Sequence, residues 1–424
     1  MSTEPVPTEC CVAPTVPRPD RHTVVRRPVL DAHGRVQAFE LLGRPAADVD
    51  REPGAAAGGL LDAIAFYRLN RPSELKKLTG GVCALIMCPD LRVARSLSEM
   101  VPANLTWLGL PEGIAAADEN RTFLREIQGR GFQLVLQGAG WEAGLSPLMD
   151  LAGMIAIDCS ACDAARLREI AKLARNSKVP LLARNLQTPE QQRQAREAGF
   201  ALFEGCYFCK PPLERNRRPP ANQMLRIELL KILQQRPLDI ARTTELVKRD
   251  GPLVYQVLRL ANSPLWGLAD EVKSIERALL AIGDERFRRV ATTAIAAEFN
   301  GGQPTELLCL ATIRARFCEQ AGPQREMDGF TQYLLGLLSL LPAMQGQPMA
   351  DLVASLPLSG ALREALLGEA NAERVLLTWL EFQEQARWED GDLWAQEHGL
   401  DPDALDRLYV DSVAWSEATL HAFR

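Results

Sequence analysis

The sequence is short of the residue that most often moves protons. Its 424 residues include four histidines, His22, His33, His398 and His421. None precedes an aspartate, none opens an H-x-x-x-H pair, and no G-x-S-x-G turn occurs. Nothing therefore marks a histidine-based hydrolase or a mononuclear histidine–metal enzyme. Positive charge is also short: 48 Lys and Arg stand against 54 Asp and Glu, for a formal net charge of −6. This balance argues against a general surface for nucleic acid or anionic membrane. A bilayer-spanning run is missing too. Gly329 to Ala350 carries no charge, but Gln332, Pro342, Gln345, Gly346 and Gln347 interrupt it, and the pattern predicts a buried helix ending near Pro342. Five prolines in the first 19 residues, with no apolar core, make residues 1–21 a disordered Pro-rich tail rather than a signal peptide. Ten cysteines are too dilute for a disulfide scaffold in a chain of this length and fit free thiols in a reducing cytoplasm.

What is present falls into two halves. Val24–Leu30 and Val36–Leu42 read as strands about the turn Asp31-Ala32-His33-Gly34. Further apolar runs follow at Val82–Met87, Phe132–Leu136, Met154–Ile157, Pro180–Ala183 and Ala201–Phe208. Between most of them lie segments of helical length: Leu60–Asn70, Thr122–Gly129, Ala164–Arg175 and Pro189–Ala198. Strands alternating with helices predict a parallel sheet, open or closed into a barrel. Lys210–Leu213 through Pro219-Pro220 reads as a linker. Beyond it the period changes. Ile275, Ala278, Leu279 and Ile282 form one apolar helix face, with Ser274 as cap and Gly283 past the end, and Asp250 caps a similar helix through Ala261.

Three constellations bear on chemistry. Gly138, Gly140 and Ala143 after a strand, with Asp158 further on, fit a dinucleotide fingerprint, but Pro147 falls where the phosphate-facing helix should run. Cys159/Cys162 and Cys206/Cys209 are C-x-x-C pairs, yet 43 residues separate them and a strand would point Cys206 and Cys209 to opposite faces. Small buried thiols are the better reading. Glu40 and Asp158 each end or interrupt a predicted strand, where carboxylates of a barrel converge; spacing alone also allows Glu40 to pair with Arg44 and Asp158 to cap a loop.

The stretch "RRPVLDAHGRVQAFELLGR" resembles the opening of an EAL domain, the family of bacterial cyclic-di-GMP phosphodiesterases, with Glu40, Leu42 and Arg44 on its E-x-L-x-R signature. "FEGCYFCKP" resembles that family's last-strand motif. "LVKRDGPLVYQVLRLANSPLWG" and "SIERALLAIG" are similar to the HDOD module, a helical relative of HD phosphohydrolases without their metal-binding His and Asp. The resemblance implies an α/β plus all-α architecture. An abbreviated TIM-barrel-like EAL domain would occupy residues 22–213 and an HD-like helical HDOD domain residues 214–424.

It also allows the site to be compared position by position. Glu40 holds the first ligand place and Asp158 survives from K-x-D, whose lysine is Ala156 here. Met87 stands for an asparagine, Glu112 falls past its strand, Gln137 and Gly138 replace an Asp-Asp pair, Arg184 and Gln187 replace two glutamates, and Glu204 replaces a glutamine. Two surviving carboxylates are too few for a two-metal clamp. The expectation is a degenerate barrel that is not an enzyme, with no cofactor or metal and with Glu40, Leu42, Arg44 and Asp158 vestigial. Glu40 would then pair with Arg44 or Arg27. The implied role is protein–protein signalling with an unidentified partner, or alternatively a cyclic-di-GMP sensor using Arg44, Glu40 and Asp158. Nucleic acid and membrane are not expected partners. Trp266, Trp379, Trp388 and Trp394 are candidates for an exposed patch or, more commonly, core packing. Arg277, Arg286, Arg288 and Arg289 read as a solvated face.

Overall fold

A computed structural model describes residues 22–44, 55–110, 118–138, 150–160, 162–175, 179–210 and 222–420. The Pro-rich tail, nearly all of the linker, Glu112, and Gly140 and Ala143 of the glycine loop lie outside these residues.

Eight strands close into a barrel in chain order: β1 (Val24–Asp31), β2 (Val36–Gly43), β3 (Cys83–Met87), β4 (Thr106–Leu110), β5 (Gln133–Gln137), β6 (Met154–Asp158), β7 (Leu181–Arg184) and β8 (Leu202–Glu204). β1 runs antiparallel to both its neighbours, and every other pairing is parallel. Among the described residues six α-helices fall between the strands: α1 (Ala55–Phe66) and α2 (Pro72–Thr79), then α3 (Leu91–Met100), α4 (Asp118–Gly129), α5 (Ala164–Arg175) and α6 (Pro189–Ala198). Local sequence fixes several boundaries. Asp90 accepts from the Val93 N–H at 2.9 Å to start α3. Thr188 and Gln191 form a reciprocal capping box at α6, whose end is Gly199 in the left-handed region.

Two expectations need correction. The run Ala201–Phe208 gives a strand of only three residues, because Gly205 at φ +137° turns the chain into a 3₁₀ turn over Cys206–Cys209. A Cβ on Gly205 would stand 2.2 Å from the Leu186 carbonyl oxygen, so no other residue fits there. In the second half, the apolar run after Gly329 does not end at Pro342. One helix closes at Leu338, and Pro342 sits in the first turn of the next, Leu341–Gln345, where a missing N–H costs nothing.

From Gln223 to Leu420 the described residues form thirteen α-helices. Ser274 and Asp250 cap the helices Ile275–Ile282 and Gly251–Ala261 as predicted. Because β1 and β2 are joined by a hairpin, β1 has no crossover helix of its own to cover its outer face. The helical half supplies that cover: the helices Val375–Glu384 and Pro402–Leu420 pack against β1, and the latter also against α2. Trp379 is fully buried and stacks on Phe317, while Trp266, Trp388 and Trp394 pack at the margin of the core. The arginine run is not a solvated face throughout. Arg288 is 2% exposed and donates to the carbonyls of Leu233 and Gln235, because the C-terminus of the helix Gln223–Leu233 presents orphan carbonyls there. Arg289 pairs with Glu319.

Candidate functional site at the barrel mouth

Strand alternation decides which side chains meet. Val29, Ala38, Leu85, Val135, Met154, Ala156, Leu182 and Leu202 form a separate cluster that fills the barrel. Two residues further toward the mouth, on the same inward parity, come Arg27, Glu40, Met87, Gln137, Asp158, Arg184 and Glu204. All of these except Arg27 were singled out position by position in the sequence. A Cβ on Gly109 would stand 2.2 Å from the Met87 sulfur, so Met87 fills the mouth beside β4.

The charged residues form a ring. Following the strand order β2-β1-β8-β7-β6, the mouth reads Glu40, Arg27, Glu204, Arg184, Asp158, which alternates in sign. Arg184 donates through Nη2 to Glu40 Oε1, and its Nε lies 3.9 Å from Glu204 Oε2. Arg27 Nη1 is 3.9 Å from Glu204 Oε1. Asn185, left-handed at φ 58°, donates its N–H to Glu204 Oε2 at 2.9 Å and its side-chain amide to Asp158 Oδ2 at 2.7 Å. Glu40 and Glu204 are both wholly buried.

Burial and the neighbouring Glu40 push the Glu204 carboxyl up to about 7, against the pull of Arg184, the Asn185 N–H and Arg27. Burial opposes the Arg184 charge, but Glu40 and Glu204 outweigh it and hold the guanidinium above its usual range. Asp158 at the rim loses some solvation, yet the hydroxyl and N–H of Ser160 and the Asn185 amide keep it below the usual carboxylate range.

The partner expected for Glu40 is corrected by this geometry. Glu40 pairs with neither Arg44 nor Arg27. Four residues along a strand span about 13 Å, so Arg44, just past the end of β2, stands beyond the ring on the same side of the barrel and out of reach of Glu40. It makes a bidentate pair with Asp392 from the helix Trp388–His398, one arm at 2.7 Å. Arg27, opposite Glu40 in register, turns instead to Glu204 and to the Glu384 carbonyl at 3.2 Å. Leu42 packs on the larger core. Gln187 lies past the mouth, in the turn that leads into α6, where its N–H reaches Gln191. Arg184 was noted only as a replacement, and its pairing with Glu40 had no local signal, since 144 residues separate them.

These residues do not fit a two-metal site. The three carboxylates of the ring already face two guanidinium groups, and among the described residues no cluster of three or more His, Cys, Asp or Glu is placed to hold a metal ion. Glu40 Oε2, Glu204 Oε1 and Arg184 Nε nevertheless remain buried without hydrogen-bond partners, so the mouth retains unmet capacity for a polar group. Burial raises the Cys159 thiol to about 12 and raises Cys206 and Cys209 as well, so all three stay protonated.

Residues 219–326 match the HDOD domain family. The whole chain is similar to the cyclic di-GMP phosphodiesterase CdgJ of Vibrio cholerae, at 26% identity over 423 residues covering 96% of this chain and 97% of the relative. It is also similar to the uncharacterized protein YuxH of Bacillus subtilis, at 24% identity covering 94% and 99%. Among solved structures, the barrel half is similar to the PaMucR phosphodiesterase in complex with c-di-GMP (19% identity, 48% of this chain and 98% of that chain, TM-score 0.34). It is also similar to an EAL domain protein from Listeria monocytogenes EGD-e (18%, 45% and 88%, TM-score 0.34). The expectation that the chain is not an enzyme is overturned by the first of these relatives, a full-length match that carries the name of a phosphodiesterase. Among the described residues no helix is long and apolar enough to cross a membrane.

Proposed function

We propose that this chain, an EAL-type barrel joined to an HDOD domain, is a cyclic-di-GMP signalling protein whose barrel mouth engages the dinucleotide and whose helical half carries the response to a protein partner. The observation that carries the reading is the convergence at one end of the barrel. Arg44, Glu40 and Asp158, drawn from two distant strands, stand at the same end of the barrel, and Asp392 of the helical half is already seated on Arg44. A guanidinium is suited to a phosphodiester because its donors form a fork, and Asp392 holds that fork as a phosphate would. In this reading Arg184 serves as the internal cation of the mouth, in place of a divalent ion.

The response side rests on the helices Gly251–Ala261 and Ile275–Ile282 within the HDOD match. They pack together and expose Tyr255 (61%) and Leu280 (76%), large apolar side chains that a protein partner would cover. Free thiols at the eight described cysteines suit a reducing cytoplasm.

The test is calorimetric titration of the full chain with cyclic-di-GMP in magnesium or manganese, with nucleotide analysis of the same samples. Wild type is expected to bind, Arg44→Ala to weaken binding at least tenfold, and Asp392→Asn to tighten it severalfold by releasing Arg44. Linear dinucleotide among the products would place the chain with its phosphodiesterase-named relative. Absence of both heat and product in wild type and in Asp392→Asn would refute the assignment of the mouth.

A further inference from the structure

On the opposite face of the barrel, the β1–β2 hairpin meets the turn that opens the helix Thr305–Ala321 of the helical half. Gly34, at φ +76° in the hairpin tip, lies so close that a Cβ there would stand 3.1 Å from Pro304 Cγ. Beside this contact is a cleft of about 810 Å³, lined by the hairpin, the Gly80–Val82 turn, Gln192 and Arg196 of α6, Tyr207, and the segment Gly302–Glu306. Its volume suits a small-molecule ligand.

The charges facing this cleft are unequal in what they leave available. Asp31 is occupied by its own hairpin: it accepts from the N–H groups of His33 (2.8 Å) and Arg35 (2.9 Å) and from the Gln37 amide (3.2 Å). Glu306 is buried and pairs with Arg26, 3.5 Å away. Arg35 and Arg196 differ: both are exposed, and neither has a carboxylate within 4.0 Å among the described residues. Gln192, one turn before Arg196, lies on the same face of α6. The helix starting at Thr305 has 17 residues and follows Pro304 with no side-chain cap; Pro304, Thr305 and Glu306 at its start line the same cleft, and the one acid of that first turn, Glu306, faces Arg26.

We propose that this interdomain cleft is a binding site for a phosphate-bearing small molecule, held by Arg35 and Arg196 against the start of the helix Thr305–Ala321. Arginine forks and an uncapped helix start both recognise phosphate oxygens. A ligand here touches barrel and helical half together, and Glu306, which lines the cleft, also holds Arg26 of β1, so occupancy bears on how firmly the halves are joined. The site is separate from the barrel mouth and does not depend on the function proposed for it.

The test is calorimetric titration of the full chain with pyrophosphate at low salt. Wild type is expected to show a single saturable site, weakened at least tenfold in Arg35→Gln/Arg196→Gln. Arg193→Gln, which removes an equal charge on α6 outside the cleft, is expected to bind within twofold of wild type. No saturable heat in wild type would overturn the site. So would a double variant that binds within threefold of wild type, since it would place the anion elsewhere.

Discussion

Replacing Arg184 with methionine is expected to cost roughly 3–5 kcal/mol of stability at neutral pH, because it leaves buried charge without its partner. Glu40 and Glu204 are wholly buried, and among the described residues Arg184 is the one cation that reaches both. The pH dependence follows from Glu204. Its folded carboxyl stands at about 7 against an ordinary 4.5, raised first by burial and then by Glu40. The folded chain therefore keeps this proton over a range where the unfolded chain has released it, and stability falls as pH climbs from about 4.5 to about 7. The slope over that window is roughly 1.4 kcal/mol for each pH unit. Above 7 wild-type Glu204 ionises against Arg184 and the slope levels off. In Arg184→Met the guanidinium that lowers this carboxyl is gone, so Glu204 holds its proton to higher pH and the variant continues to lose stability where wild type does not. The gap between the two, measured by urea unfolding at pH 6 and pH 8.5, is expected to widen with pH. Adding Glu204→Gln to the variant is expected to recover about half of the loss and flatten the difference. A gap that does not change with pH would mean that Glu204 is not coupled to Arg184.

The ring also shows how much of this site was legible in the chain. The inward positions were accessible because strand period and motif spacing agree: Glu40, Asp158, Arg184 and Glu204 all sit where alternation puts them. The pairing among them was not. Reading Glu40 against Arg44 treats a strand as if its fourth neighbour were close, as it would be on a helix. The true partner comes from β7 through barrel closure, which no local pattern encodes. The same holds for Asp392, which is 348 residues from Arg44 in sequence. Short elements were lost for a different reason. α2 and α3 went unnoticed because their polar faces exceed their apolar ones, with only Leu75, Leu78 and Thr79, and Ala94, Leu97 and Ser98, buried. The helices around Ser274 and Asp250 were clear because cap, period and stop agree at each. What the sequence left open altogether was the surface where the halves meet, since its polar residues look like ordinary surface charge until the fold brings them together.

That surface gives the second large effect, expected for Arg26→Met. Arg26 projects from the outer face of β1 into the helical half. Its Nη1 lies 2.7 Å from Glu417 and donates to the Leu78 carbonyl at 2.6 Å, its Nη2 lies 3.5 Å from Glu306, and its guanidinium stacks 4.0 Å from the centre of the Phe39 ring. Burial opposes this charge, but Glu417 and Glu306 together raise its pKa above the ordinary arginine value, so it stays charged throughout the accessible pH range. A methionine preserves the contact with Phe39 but removes the charge that buried Glu306 and half-buried Glu417 face, and a loss of roughly 3–5 kcal/mol is expected. The loss should concentrate at the junction. Hydrogen exchange is expected to quicken in β1 and in the helix Pro402–Leu420, where Asp406 accepts from Thr23 and Tyr409 from the Arg26 N–H, while the barrel interior stays protected. Arg26→Lys separates charge from geometry: it keeps a cation but cannot reach two carboxylates and a carbonyl at once, so it is expected to lose about half as much. Were Arg26→Met to unfold within about 1 kcal/mol of wild type, apolar packing of the helical half on β1 would hold the halves together, and the buried charges would only set their register.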